Sequence, residues 1–101
     1  MSAVDLVGTA AGLTQAWNSR RLGRVAAADV KVLRMDGLPL AAESHREDEA
    51  LLVVDGRLEL EVDGRQVTVR AGELYLVPAG ALHAVRPGSH GTLVIVEPAA
   101  T

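Results

Sequence analysis

From residue 57 to residue 70 apolar and polar side chains take turns. Leu58, Leu60, Val62, Val67 and Val69 fall on one side of an extended chain, and Arg57, Glu59, Glu61, Asp63, Thr68 and Arg70 on the other. A period of two residues belongs to strands with one wet and one dry face. The AspGly pair at 63 and 64 interrupts the pattern where a tight hairpin demands positive φ, so two antiparallel strands are predicted here.

The same grammar extends over most of the chain. ArgLeuGlyArgValAla and ValLysValLeuArgMet precede an AspGly at 36 and 37, and LeuLeuValVal precedes another at 55 and 56. GlnValThrValArg, LeuTyrLeuValPro, LeuHisAlaValArg and ThrLeuValIleValGlu continue the series. Short strands separated by such turns predict an all-β, antiparallel fold that closes as a small barrel. The expected organisation is one domain over residues 1–101, with an N-terminal segment at 1–20 and a barrel over about 21–98.

Two strands depart from alternation. Residues 51–54 and 93–96 are apolar on both faces, so their outer sides need a cover. Either the N-terminal segment or a second subunit supplies it, and a homodimer is the expectation. Within the N-terminal segment, Leu13, Ala16 and Trp17 follow helical spacing behind a Thr9 cap, which predicts a short helix or turn over residues 9–19 weakened by Gly12.

Composition narrows the function. The apolar fraction of 49% comes from Val, Leu and Ala, with Trp17 and Tyr75 the only aromatics, which suits closely packed strands. Net charge is −3 and the ten basic residues are scattered, so neither nucleic acid nor an anionic membrane is an expected partner. Without cysteine there is no disulfide, thiolate nucleophile or thiolate-held metal. The N-terminus shows no basic region leading into an apolar stretch, and no apolar run approaches a membrane span, so a cytoplasmic location is expected.

Candidate chemistry gathers around few residues. His45 precedes Glu49 in a polar run, and His83 follows a ProAlaGly turn; together they form a two-imidazole, one-carboxylate set, with Glu43 as a further donor or a general base. If the chain stays extended through this run, Glu43, His45 and Glu49 share a face, with the apolar Leu51 and Val53 continuing below them. Nitrogen and oxygen donors without sulfur suit Fe(II), Mn(II), Ni(II), Co(II) or Zn(II). Taken singly, His45 and Glu49 fit a solvated loop equally well, and His83 a polar residue beside a turn.

The remaining polar residues call for no chemistry. His90 sits in a glycine-rich surface connection, Arg86 reads as solvated, and Asp48 suits a bond to a turn amide. Tyr75 has the opposite parity to Leu74 and Leu76, so it points outward or packs on the N-terminal segment. Ser44 adjoins His45 but would face away from it, and no nucleophile elbow, phosphate loop or dinucleotide fingerprint is present.

From Ser44 to His83 the chain resembles the cupin superfamily, small barrels that bind small molecules or act as dioxygenases. His45, Glu49 and Gly56 match the later part of that family's first motif, and Gly72, Pro78, Gly80 and His83 match its second. Glu43 stands where the first metal-binding histidine is usual, with Gly37 at the family's offset before it, and Pro87 replaces the second motif's trailing Asn. The resemblance implies a jelly-roll barrel with a divalent transition metal at its mouth. Two histidines and two glutamates would then hold the ion; otherwise Glu43 turns away, or the site has lost its metal. Two functional accounts follow: metal-dependent dioxygenase, isomerase or lyase chemistry on a small oxygenated substrate, or non-catalytic binding or sensing of a small metabolite, with or without metal. Pocket size depends on which of Met35, Leu51, Val53, Leu76 and Val85 face inward.

Overall fold

The structure, a computed structural model, describes residues 2–99. A short helix α1 (Leu6–Ala11) leads into strands β1 (Arg20–Val25), β2 (Ala28–Asp36), β3 (Leu40–Glu43), β4 (Glu49–Val62), β5 (Arg65–Arg70), β6 (Leu74–Val77), β7 (His83–Val85) and β8 (His90–Pro98). All strand pairs are antiparallel. Hydrogen bonding runs in the order β1-β2-β8-β4-β7-β3, with β5 and β6 also paired to β4. The result is a small antiparallel β-barrel of jelly-roll type, as the pattern of the chain predicts.

β4 is the spine of the barrel, and it explains why AspGly at 55 and 56 does not end a strand. The register slips between Val53 and Asp55, Gly56 takes φ +75°, and the strand continues. Before the slip Glu49, Leu51 and Val53 are buried; after it Leu58, Leu60 and Val62 are. One irregularity thus exchanges odd for even parity and lets a single strand serve both halves of the barrel. Only the AspGly at 63 and 64 forms the predicted two-residue hairpin, with both residues at positive φ. Asp36 and Gly37 turn the chain as Asp36 Oδ1 accepts the Leu38 N–H, but β2 and β3 do not pair. The unheralded hairpin joins β1 to β2 through Ala26 and Ala27, with Ala26 at φ +52°.

The helix also lies upstream of its predicted place. Asp5, rather than Thr9, caps it by accepting the Gly8 N–H, while residues 12–19 form turns and irregular backbone. Leu6 and Ala10, one helical turn apart, join Val32, Val94, Leu52 and Val54 in a second apolar cluster on the outer sheet face. The N-terminal segment therefore covers part of the two doubly apolar strands. Leu74 and Leu76 remain exposed, and Tyr75 between them packs on the main core, correcting its expected outward or N-terminal placement. No helix among the described residues is long and apolar enough to cross a membrane.

Candidate metal centre

The four predicted site residues come from three strands and one loop. β3 ends at Glu43, a bend occupies residues 46 and 47, and β4 begins at Glu49, so the chain is not extended through this stretch as the shared-face argument supposes. His45 reaches the site from the loop instead. That loop is tied to the turn before His83: the Gly80 N–H donates to the His45 carbonyl at 2.8 Å, and the Ala79 N–H to Asp48 Oδ1 at 2.8 Å. Asp48 thus takes its expected turn amide. A second tie, from the Leu82 N–H to Asp63 Oδ1 at 2.9 Å, fixes the entry to β7.

Two layers result. Near solvent, His45 Nε2 lies 3.4 Å from Glu43 Oε1, and both side chains are substantially exposed. Deeper, His83 Nε2 lies 3.2 Å from Glu49 Oε1, and both are buried. The two imidazole centroids are 5.3 Å apart with their planes tilted by 53°. Glu43, His45 and His83 each place a donor atom within 4.8 Å of the others, while Glu49 meets the group through His83.

This centre opens into a cavity of about 230 Å³. Of the five positions on which its size depends, Leu51 and Val85 line it, joined by Leu33, Leu93, Ile95 and Trp17. Met35 and Val53 belong to the packed core instead, and Leu76 points out to solvent.

The family model of the cupin domain matches residues 36–97, which run from the end of β2 into β8 and include all four site residues. The chain belongs to the cupin family. Quercetin 2,3-dioxygenase of Bacillus subtilis is 37% identical over 60 residues, covering 59% of this cupin but only 18% of the enzyme. A cupin-2 domain containing protein from Shewanella frigidimarina superposes with a TM-score of 0.86 at 23% identity, covering 95% of this chain and 94% of that one. Protein NMB1881 from Neisseria meningitidis gives a TM-score of 0.82 at 23% identity, covering 97% and 100% of the two chains. At these identities the two structures establish a shared fold.

The chemistry of the donor set in this cupin fits a cation. His83 Nδ1 is 3.1 Å from the Ala81 carbonyl, which can only accept, so Nδ1 donates there and Nε2 is the ring atom turned toward Glu49. Nε2 then faces a Glu49 oxygen across 3.2 Å. Such a contact is favourable only with a proton or a metal ion between the two groups. Burial pushes the Glu49 carboxyl above the usual carboxylate range; the neighbouring Glu97 adds to the rise, and the charges of His83 and His45 oppose it.

Glu97 is the polar wall residue that the motifs do not announce. It lines the cavity beside Glu49, and its Oε1 accepts from Lys31 Nζ at 2.8 Å. Parity alone could have placed it, since Glu97 shares the inner face of β8 with Leu93 and Ile95.

Proposed function

We propose that this cupin holds a divalent transition metal through His45, His83 and Glu49, with Glu43 as a fourth donor, and presents it to a small oxygenated organic substrate. The observation carrying this reading is the convergence of donor atoms from Glu43, His45 and His83 within 4.8 Å of one another, with Glu49 Oε1 3.2 Å from His83 Nε2 while His83 Nδ1 is committed to the Ala81 carbonyl. Iron, manganese, nickel, cobalt and zinc all accept this mixture of nitrogen and oxygen donors. When bound, such an ion supplies Lewis acidity for dioxygenase, isomerase or lyase chemistry.

The chain's own side chains supply the remainder. The leucine and isoleucine walls exclude water from the body of a ligand, whereas the open side at Glu43 and His45 leaves its oxygens a way in. Glu43, when it is not a ligand, would serve as the general base toward a substrate carbon or hydroxyl beside the centre. The matched relative is named as a dioxygenase, which favours oxygen chemistry among the three classes.

Elemental analysis of protein purified without chelating resin tests the reading: near one equivalent of transition metal per chain is expected, and its loss in His83→Ala. No uptake after reconstitution with iron, manganese, nickel or zinc would remove this function. Metal without turnover on diketones, keto acids or thiols would leave a binding or sensing barrel.

A homodimer completes the proposal. Leu76, Ala50, Val96, Ala28 and Val25 form an apolar strip beside the part of the sheet that α1 covers, with Leu76 and Val25 more than half exposed. Sedimentation at micromolar concentration should give twice the chain mass, and a monomer would refute the assignment.

A further inference from the structure

The barrel has a seam that no hydrogen bond closes. Among the described residues the strand order ends with β1 at one edge and β3 at the other, and β2 and β3 make no pairing. The register of β1 against β2 reaches only as far as Val32. Beyond it, the Trp17 N–H donates to the Arg34 carbonyl of β2 at 2.8 Å. The indole Nε1–H donates to Asp36 Oδ1 at 2.8 Å. The ring packs against the main core and lines the cavity together with Leu33 of β2 and Leu40 of β3.

Trp17 holds φ +66°, a backbone conformation that bulky residues adopt only when surrounding contacts impose it. Main chain, indole nitrogen and ring face are each committed to a separate partner. Such a residue does not swing aside easily. Its position therefore sets the reach of the cavity away from the metal centre. At about 230 Å³ that space lies below the roughly 300–1,000 Å³ of pockets for drug-sized ligands.

We propose that Trp17 is the specificity-determining wall of the cavity, limiting ligands to those with a short apolar body behind the atoms at the centre. The proposal deepens the function above and rests on it for the ligand's anchoring, but the wall itself is a matter of shape. Ligands carrying two oxygens on a chain of a few carbons fit; long chains and fused ring systems meet the indole. Trp17 is also the only tryptophan of the chain, so its emission reports directly on the wall.

Linear hydroxamates from acetyl to octanoyl test this, because they offer one constant oxygen pair on a body of increasing length. Metal uptake is measured first on wild type and Trp17→Ala, with Trp17→Leu as the variant to use if the alanine protein does not fold, and hydroxamate affinity is then measured by calorimetry on each, since the variants lack the chain's only tryptophan. Wild type should bind short members and quench at Trp17, with affinity falling as the chain lengthens. The variant should take up metal equally and gain about tenfold or more for the octanoyl member relative to the acetyl member. A merely structural tryptophan would lower stability and leave the length profile unchanged, which would overturn the proposal. If wild type takes up no metal, the proposed function fails, and the wall is read on the metal-free protein with primary alcohols by thermal shift. A length cut-off relieved in the variant then supports the wall, and identical profiles overturn it.

Discussion

His83 presents its Nε2 to Glu49 Oε1 at 3.2 Å while its Nδ1 is committed to the Ala81 carbonyl. The carbonyl belongs to the turn that follows Pro78 and Gly80, so the turn fixes a tautomer as well as a path for the chain. Neither residue is at ease without a cation or proton between them. Their burial makes the mismatch matter, since little water reaches them to screen it.

Replacing Glu49 by Gln separates the charge of this residue from its shape. We expect metal affinity, followed by titration of the metal-free protein with Co(II) or Mn(II), to fall by about 100-fold or more. In the metal-free protein burial lets the Glu49 carboxyl keep its proton to higher pH than an ordinary carboxyl does. The stability it contributes is lost as pH rises from the usual carboxylate range through its folded value. Denaturation midpoints of Glu49→Gln should lack this decline, and an unchanged pH profile would show that the carboxyl is not held away from solvent.

Glu43 occupies the more exposed layer, 3.4 Å from His45, and its removal should cost less than removal of His83. Glu43→Ala is expected to retain metal with roughly 10-fold weaker affinity. Glu43→His lowers the site's formal negative charge and should shift preference from Mn(II) toward Zn(II) or Ni(II). Competition between these ions, monitored by elemental analysis, checks both outcomes. Equal affinities in wild type and Glu43→Ala would make Glu43 a bystander or a base.

Acid sensitivity has a second source at the β1–β2 pair. Asp29 accepts from Arg24 Nε at 2.9 Å, with Arg21 at 3.8 Å, and this bond holds its carboxyl below the usual range against the opposing effect of burial. A depressed folded value means that the contribution is present above the unfolded value and disappears as pH falls through the folded one. Asp29→Asn should therefore destabilise at neutral pH and flatten the acid limb of a denaturation profile. An unaltered acid limb would remove the pair from the account.

What was legible in the chain was what local chemistry controls. Alternation from Leu58 to Val69 identified an inner face because each side chain's direction depends only on its own parity. His45, Glu49 and His83 were found by spacing, yet the reason they meet was not. An extended chain through the loop would put Glu43, His45 and Glu49 on one face, whereas bonds from Gly80 to His45 and from Ala79 to Asp48 bring the segments together. Those bonds join positions distant in sequence and leave no periodic trace. Trp17 was missed for a similar reason, since Arg34 and Asp36 of a later strand hold it in a non-helical conformation.

The crossing of Gly56 and Gly91 offers the sharpest test of the architecture. A Cβ added at Gly56 would lie 2.0 Å from the His90 carbonyl oxygen, and one at Gly91 would lie 2.2 Å from that of Asp55. Both obstacles are backbone in paired strands, so β4 and β8 must separate just where β4 changes parity. At Gly64 the φ of +83° is equally left-handed, but nothing stands within 4 Å of an added Cβ. Gly64→Ala should thus cost about 1–2 kcal/mol from backbone conformation alone. Gly56→Ala should cost more than about 4 kcal/mol or prevent folding, because it adds the steric clash to the same strain. Urea denaturation of the two variants measures the difference; similar midpoints would mean that the strands at this crossing are not in the close contact that turns β4 from one half of the barrel to the other.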